Sequence, residues 1–150
     1  MKLNDRVVWI DVRASGLDPA ADRLERLSVA VTDKELAVLA EAEDVSVDDP
    51  KEAEQVALAL IAEHVEQGVG ILAGTRVQDV RRVLAAHLPV LFGYLHYRSI
   101  DVSTVRELVR RWYPDVHASR PPDAGSIQDG IAELRHYRET AFAPAPASVD

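Results

Sequence analysis

One stretch near the start of the chain constrains the fold more than any other. Val7–Asp18 reads VVWIDVRASGLD. Val7 to Ile10 are consecutive apolar residues, mostly β-branched, and such a run reads as a strand buried on both faces. The run leads straight into Asp11. A carboxylate at the carboxyl end of a buried strand stands where α/β folds place ligand and metal chemistry. The plain alternative is a polar residue that closes the strand. Gly16 then lets the chain turn, and Leu17 stands apolar on the loop beyond.

The rest of the pattern supplies partners for that strand. Residues 24–32 and 36–42 read as two further strands joined by a turn at Asp33-Lys34, hence an antiparallel hairpin. Residues 44–50 read as an acidic loop. Residues 51–67 have helical spacing, with Val56, Leu60, Ile61, His64 and Val65 on one face, and Gly68 and Gly70 end that pattern. Residues 71–73 form a fourth strand candidate. A helix over 76–88 puts Val77, Val80, Leu84 and Leu88 on one side and stops at Pro89. Residues 97–102 read as a fifth strand. The 103–112 helix carries the stripe Val105, Leu108, Val109 and Trp112, and Thr104 with Glu107 fits a capping box. Residues 117–125 contain Pro121-Pro122 and should be irregular. A last helix over 126–140 turns Ile127, Ile131 and Leu134 inward. The order βββαβαβαα gives one α/β domain over 1–142, a mixed five-stranded sheet flanked by helices, and a disordered tail over 143–150.

Charge narrows the function classes. The formal net charge is -8, with a pI of about 5.1. That argues against a general phosphate-binding surface, which would be basic, and leaves room for a small pocket with a few local arginines. The absence of cysteine excludes disulfides and thiolate metal sites and fits a cytoplasmic setting. No run is long enough to span a bilayer, and the N-terminus lacks the apolar core of a signal peptide. The chain has no P-loop, no G-x-G-x-x-G, no H-E-x-x-H and no Gly-x-Ser-x-Gly elbow. Its histidines, His64, His87, His96, His117 and His136, show no metal-ligand spacing.

Two stretches resemble a known family. VVWIDVRASGLD is similar to the first motif of oligoribonucleases, W-I-D-x-E-x-T-G-L. Gly93–Pro114, GYLHYRSIDVSTVRELVRRWYP, resembles that family's late strand and helix over 22 consecutive residues. TDKELAVL in the hairpin and IAELRHYRETAF in the last helix also fit. The resemblance implies a ribonuclease H-like 3′→5′ exonuclease fold with a DEDD-plus-histidine site. Family members degrade very short RNA as dimers, with four carboxylates holding two metal ions and a histidine serving the attacking water. Two divalent cations about 4 Å apart clamp the attacking and leaving oxygens of a phosphodiester, and each wants oxygen ligands.

The chain departs from that pattern at nearly every ligand position. Asp11 is kept. The family glutamate two residues on is Arg13. The third carboxylate position, counted from Gly74-Thr75-Arg76, is Val80, with Asp79 one residue and about 100° of helix away. The last aspartate falls on Ser126 and the histidine on Pro121, with His117 and Asp123 nearby but out of register. An apolar-aromatic segment that the family carries before the 51–67 helix is missing. Other positions survive. Leu17 matches the leucine that wedges against substrate bases. Tyr97 and Arg98 match dimer-interface residues, and Arg98 with Ser103 lies where the family contacts substrate.

Each of these residues also has a structural use. Leu17 can plug the core edge, Tyr97 can pack under the sheet, Ser103 can cap a helix, and Ser126 with Asp129 looks like a helix cap. Arg13, two residues from Asp11 on one strand, shares its face and is expected to pair with it, leaving no resident metal. Three readings follow. The favoured one is an oligoribonuclease-like protein that has lost most of its metal ligands, a homodimer retaining affinity for short RNA, a nucleotide or a partner. The second is an active exoribonuclease with a rebuilt site, using Mg²⁺ or Mn²⁺ with Asp11, Asp79, Asp123 or His117. The third is a protein-interaction module without nucleic acid.

Overall fold

A computed structural model describes residues 5–144 and residue 146. The tail expected over 143–150 falls largely outside them. The elements in order are β1 (Val7–Ala14), β2 (Leu24–Thr32), β3 (Val38–Ser46), α1 (Pro50–Ala62), β4 (Ile71–Gly74), α2 (Val77–His87), α3 (Pro89–Tyr94), β5 (Ser99–Asp101), α4 (Val102–Trp112), α5 (Pro114–Ala118) and α6 (Ile127–Thr140). They build the mixed five-stranded α/β sheet that the pattern implied, in the order β3-β2-β1-β4-β5.

β1 lies at the centre because both its faces are apolar. Val8, Ile10 and Val12 join one core with Leu27, Val29 and Val31 of β2, Leu72 of β4, and Ile61, Leu84 and Leu91 from α1, α2 and α3. Val7 and Trp9 join the other, with Val109 of α4 and Ile127, Ile131 and Tyr137 of α6. Trp9 is fully buried, and its indole Nε1 donates to Thr32 Oγ1 at 3.1 Å. A buried indole with its N–H satisfied keeps the full benefit of its apolar surface. Among the described residues no helix is long and apolar enough to cross a membrane.

Strand pairing then makes a crevice. β1 pairs antiparallel with β2 along its whole length but parallel with β4 only at Val7, Val8 and Trp9. Asp11 therefore stays in the sheet on one side and has lost its neighbour on the other. That divergence of parallel strands is where open α/β sheets hold ligands.

Several expectations are corrected. The hairpin connection is residues 33–37, because Asp33 Oδ1 accepts from the amides of Glu35 and Ala37 and fixes a wider turn. Leu36 in that turn is buried with φ 67°. β3 accordingly starts later and takes in residues 44–46 of the expected acidic loop. Pro89, the expected stop of α2, and Pro114, just beyond α4, each also open a short helix, α3 and α5. Proline at the first helical position loses no hydrogen bond and already has the right φ. α1 buries Ala57 and Ile61 and leaves Val56 exposed. α4 is capped by Asp101, whose carboxylate accepts from the Ser103 amide, and not by Thr104. Its expected apolar stripe splits: Val109 is buried, while Leu108 and Trp112 are exposed.

Candidate functional site

The crevice beside β1 is the site. Asp11, Arg13, Arg26, Ser28, Asp44, Gly125 and Ser126 line a cleft of about 630 Å³. Val80 and Arg76 line the adjoining hollows, which share Arg13, Asp11 and Ser126 with it. Four separated pieces of sequence thus meet here: β1, the start of α2, the β2–β3 ladder and the start of α6. The positions matched to the family's ligands, Asp11, Arg13, Val80 and Ser126, are brought together. Pro121 is not among the residues lining these hollows.

Those positions hold one carboxylate, Asp11, with a guanidinium, a valine and a serine. The Asp11 side chain is one-quarter exposed, and its Oδ1 accepts from Arg76 Nη2 at 3.2 Å. Arg76 is the partner, and the expected pairing with Arg13 is not formed. The reason lies in the strand geometry. Arg13 stands opposite Arg26 across the ladder and projects into solvent. Arg76 instead follows β4, the parallel neighbour whose end faces Asp11. Arg26 is taken by Asp44, with Nε to Oδ1 at 2.5 Å. Arg13 makes no ion pair or hydrogen bond among the described residues. Val80 is buried in the core. Ser126 Oγ accepts from the Asp129 amide at 3.1 Å and caps α6, as its pattern with Asp129 implied. Among the described residues no three His, Cys, Asp or Glu side chains gather closely enough to hold an ion.

The out-of-register residues are engaged elsewhere. Asp123 accepts from Arg106 Nη2 at Oδ2 and from the Gly125 amide at Oδ1, each at 2.9 Å, so both oxygens are committed. Asp79 faces Arg82 on its own helix. His117 lies on α5, where its Nε2 meets Arg120.

Leu17 does not plug the core; it is half exposed on a loop that is held firmly. Asp22 accepts from Ser15 Oγ and the Asp18 amide, and a Cβ at Gly16 would come within 2.4 Å of the Asp22 carboxylate. His87 Nε2 meets the Gly16 carbonyl at 2.8 Å. Tyr97 does not pack under the sheet; it is 77% exposed, stacked on His96 with the Arg98 guanidinium 5.4 Å above its ring. Arg81 fastens that segment by donating to the carbonyls of His96 and Arg98 and to Ser99 Oγ, and burial lowers its pKa from the ordinary value. Ser103 Oγ donates to Asp101 Oδ1 at 2.6 Å instead of capping the helix itself.

Sequence reasoning missed Arg76 as the counter-ion. Its signal was its place two residues beyond the end of β4. It also missed the network on α6, where Glu133 is buried and takes two bonds from Arg106 and one from Tyr137 Oη. Glu133 and Tyr137 are four residues apart, a spacing that marks one helix face.

The five-stranded sheet and its crevice define an exonuclease-type, ribonuclease H-like fold. Among solved structures, the complex of E. coli exonuclease I with a 5cy-dT13 oligonucleotide matches with a TM-score of 0.64 at 15% identity, over 92% of this chain and 41% of that one. Exonuclease I from Methylocaldum szegediense matches with a TM-score of 0.62 at 15% identity, over 91% of this chain and 41% of that one. The chain thus spans less than half of these structures. No family model matches the sequence. Curated relatives named oligoribonuclease match throughout: 38% identity with that of Streptomyces griseus over 96% of this chain and 90% of the relative, and 36% with that of Shewanella loihica over 91% and 95%. The chain belongs to the oligoribonuclease family.

Proposed function

We propose that this chain is a non-hydrolysing member of its family, a homodimer whose cleft binds the phosphate of short RNA or a nucleotide without metal ions. The observation that carries the reading is the ion pair of Asp11 with Arg76, in a cleft whose other ligand positions are Arg13, Val80 and Ser126. A site for Mg²⁺ or Mn²⁺ needs several oxygen ligands per ion, and here one carboxylate oxygen already meets a guanidinium. The donor set does not fit two ions, so no hydrolytic step is assigned to it.

Phosphate affinity is supported by Arg13 and Arg26, which stand directly opposite each other in the ladder. Asp44 answers Arg26, and Arg13, which makes no ion pair among the described residues, is left to meet an anion at the cleft. Leu17, Arg98 and Ser103 are the further contacts, as the family resemblance implies. The dimer is supported by an exposed apolar surface on and beside α4: Tyr97, Leu108, Trp112 and Tyr113. A cysteine-free sequence supports a cytoplasmic setting.

A second reading rests on the relatives, which are named oligoribonuclease. It makes this chain an active 3′→5′ exoribonuclease with a rebuilt metal site. One assay separates the two: purified protein on 5′-labelled dinucleotide RNA with Mg²⁺ and Mn²⁺, beside Asp11→Asn. No turnover above that variant supports the proposed reading. Turnover that vanishes in Asp11→Asn overturns it. Light scattering tests the dimer, which Trp112→Glu is expected to dissociate.

A further inference from the structure

A second feature lies away from the cleft, where β3 meets α1. β3 is an edge strand, so half of its backbone N–H and C=O groups face outward without a ladder partner. Beside that edge runs a groove of about 210 Å³ whose floor and wall are apolar, with Ala42, Val45 and Val47 on one side and Val56 and Leu60 of α1 on the other. Val45 and Val56 are 41% and 56% exposed. The volume falls below the roughly 300–1,000 Å³ of small-molecule sites.

The rim decides what can enter. Residues 41–54, EAEDVSVDDPKEAE, hold seven carboxylates against one lysine, most of the net charge of -8. Asp48, Asp49 and Glu52 line the groove and stand exposed. RNA and anionic lipid are repelled by such a rim, and so is a second copy of this acidic chain. The connection from β3 to α1 is only residues 47–49.

We propose that this groove docks an extended basic segment of a partner protein. The segment adds a strand to the free edge of β3, seats alternate aliphatic side chains against Val45 and Val56, and pairs its lysines or arginines with Asp48 and Glu52. Main-chain bonding supplies affinity in this mode, and the alternation of side chains supplies selectivity.

The test is a titration of the intact protein, followed by amide-resolved NMR and hydrogen exchange. The probes are a short alternating Lys-Val peptide, an alternating Glu-Val peptide, and a peptide of the same Lys and Val content in two blocks. The expected result is saturable binding of the alternating basic peptide below about a millimolar. Shifts should be confined to β3 and α1, β3 amides should exchange more slowly, and binding should weaken with salt. Val56→Lys, at an exposed position, should weaken that binding about tenfold. Equal binding of the block peptide reduces the effect to charge attraction and overturns the proposal. So does binding unchanged by Val56→Lys, or the same shifts produced by the Glu-Val peptide, by a short RNA or by raising the protein concentration alone.

Discussion

Two guanidinium–carboxylate sites in this molecule differ in almost every respect. On α6, Glu133 is 1% exposed, receives both arms of Arg106 at 2.6 and 2.7 Å, and accepts the Tyr137 hydroxyl at 2.6 Å. At the end of β1, Asp11 has one contact with Arg76, at 3.2 Å, and Arg76 is more than half exposed. Water makes the difference. A buried charge is tolerated only when its bonding is complete, so the α6 network cannot lose a member cheaply. An exposed pair is screened and contributes little. The first site is therefore part of what holds α6, Asp123 and α4 together. The second is a solvent-facing pair at the mouth of the cleft.

The largest effect is expected from Arg106→Ala. It strands the buried Glu133 carboxylate and should cost about 3 kcal/mol or more of unfolding free energy, measured by denaturant titration. A loss below about 1 kcal/mol would place the α6 network in the same class as an exposed pair.

Tyr137→Phe comes next. Removing a hydroxyl bonded to a carboxylate should cost about 2 kcal/mol. It should also reshape the alkaline limb. Burial first, and then Glu133, push the Tyr137 phenol above its ordinary value. The folded state thus holds that proton more tightly than the unfolded chain. The resulting stability is complete below about pH 10, the unfolded phenol value, and is lost as pH rises above it. Stability of the Tyr137→Phe protein should fall less steeply above that pH.

A third change sharpens the contrast by restoring acid to the cleft. Arg13→Glu with Ser126→Asp sets three carboxylates around one space and should raise Mn²⁺ affinity about tenfold, or roughly 1.4 kcal/mol, by calorimetry. Unchanged affinity would mean that these positions do not converge. The smallest effect belongs to Arg76→Ala, which should alter stability by no more than about 1 kcal/mol.

The sequence was most legible where burial sets the pattern. The apolar run of β1, the helical faces of α2 and α6 and the hairpin could be read because side-chain periodicity reports the core directly. The convergence of Asp11, Val80 and Ser126 followed from the family resemblance, not from spacing. What stayed hidden depended on register. That Arg13 stands opposite Arg26, and that Arg76 reaches Asp11, follows from how β1 pairs with β2 and β4, which no local pattern states. Proline punctuation misled at Pro89 and Pro114 because one residue both ends a helix and starts the next. On α4, Leu108 and Trp112 have core-like chemistry but face outward, a difference that periodicity alone does not reveal.

The proposed exchange of metal chemistry for an internal ion pair at Asp11 is tested most directly by titrating the native protein with Mn²⁺ and Mg²⁺, by calorimetry or NMR, beside Asp11→Asn. A lone carboxylate paired with Arg76 leaves most of an ion's coordination to water, so the expected result is no saturable binding below about a millimolar, with the native protein and the variant alike. Saturable binding tighter than that, abolished by Asp11→Asn, would contradict it.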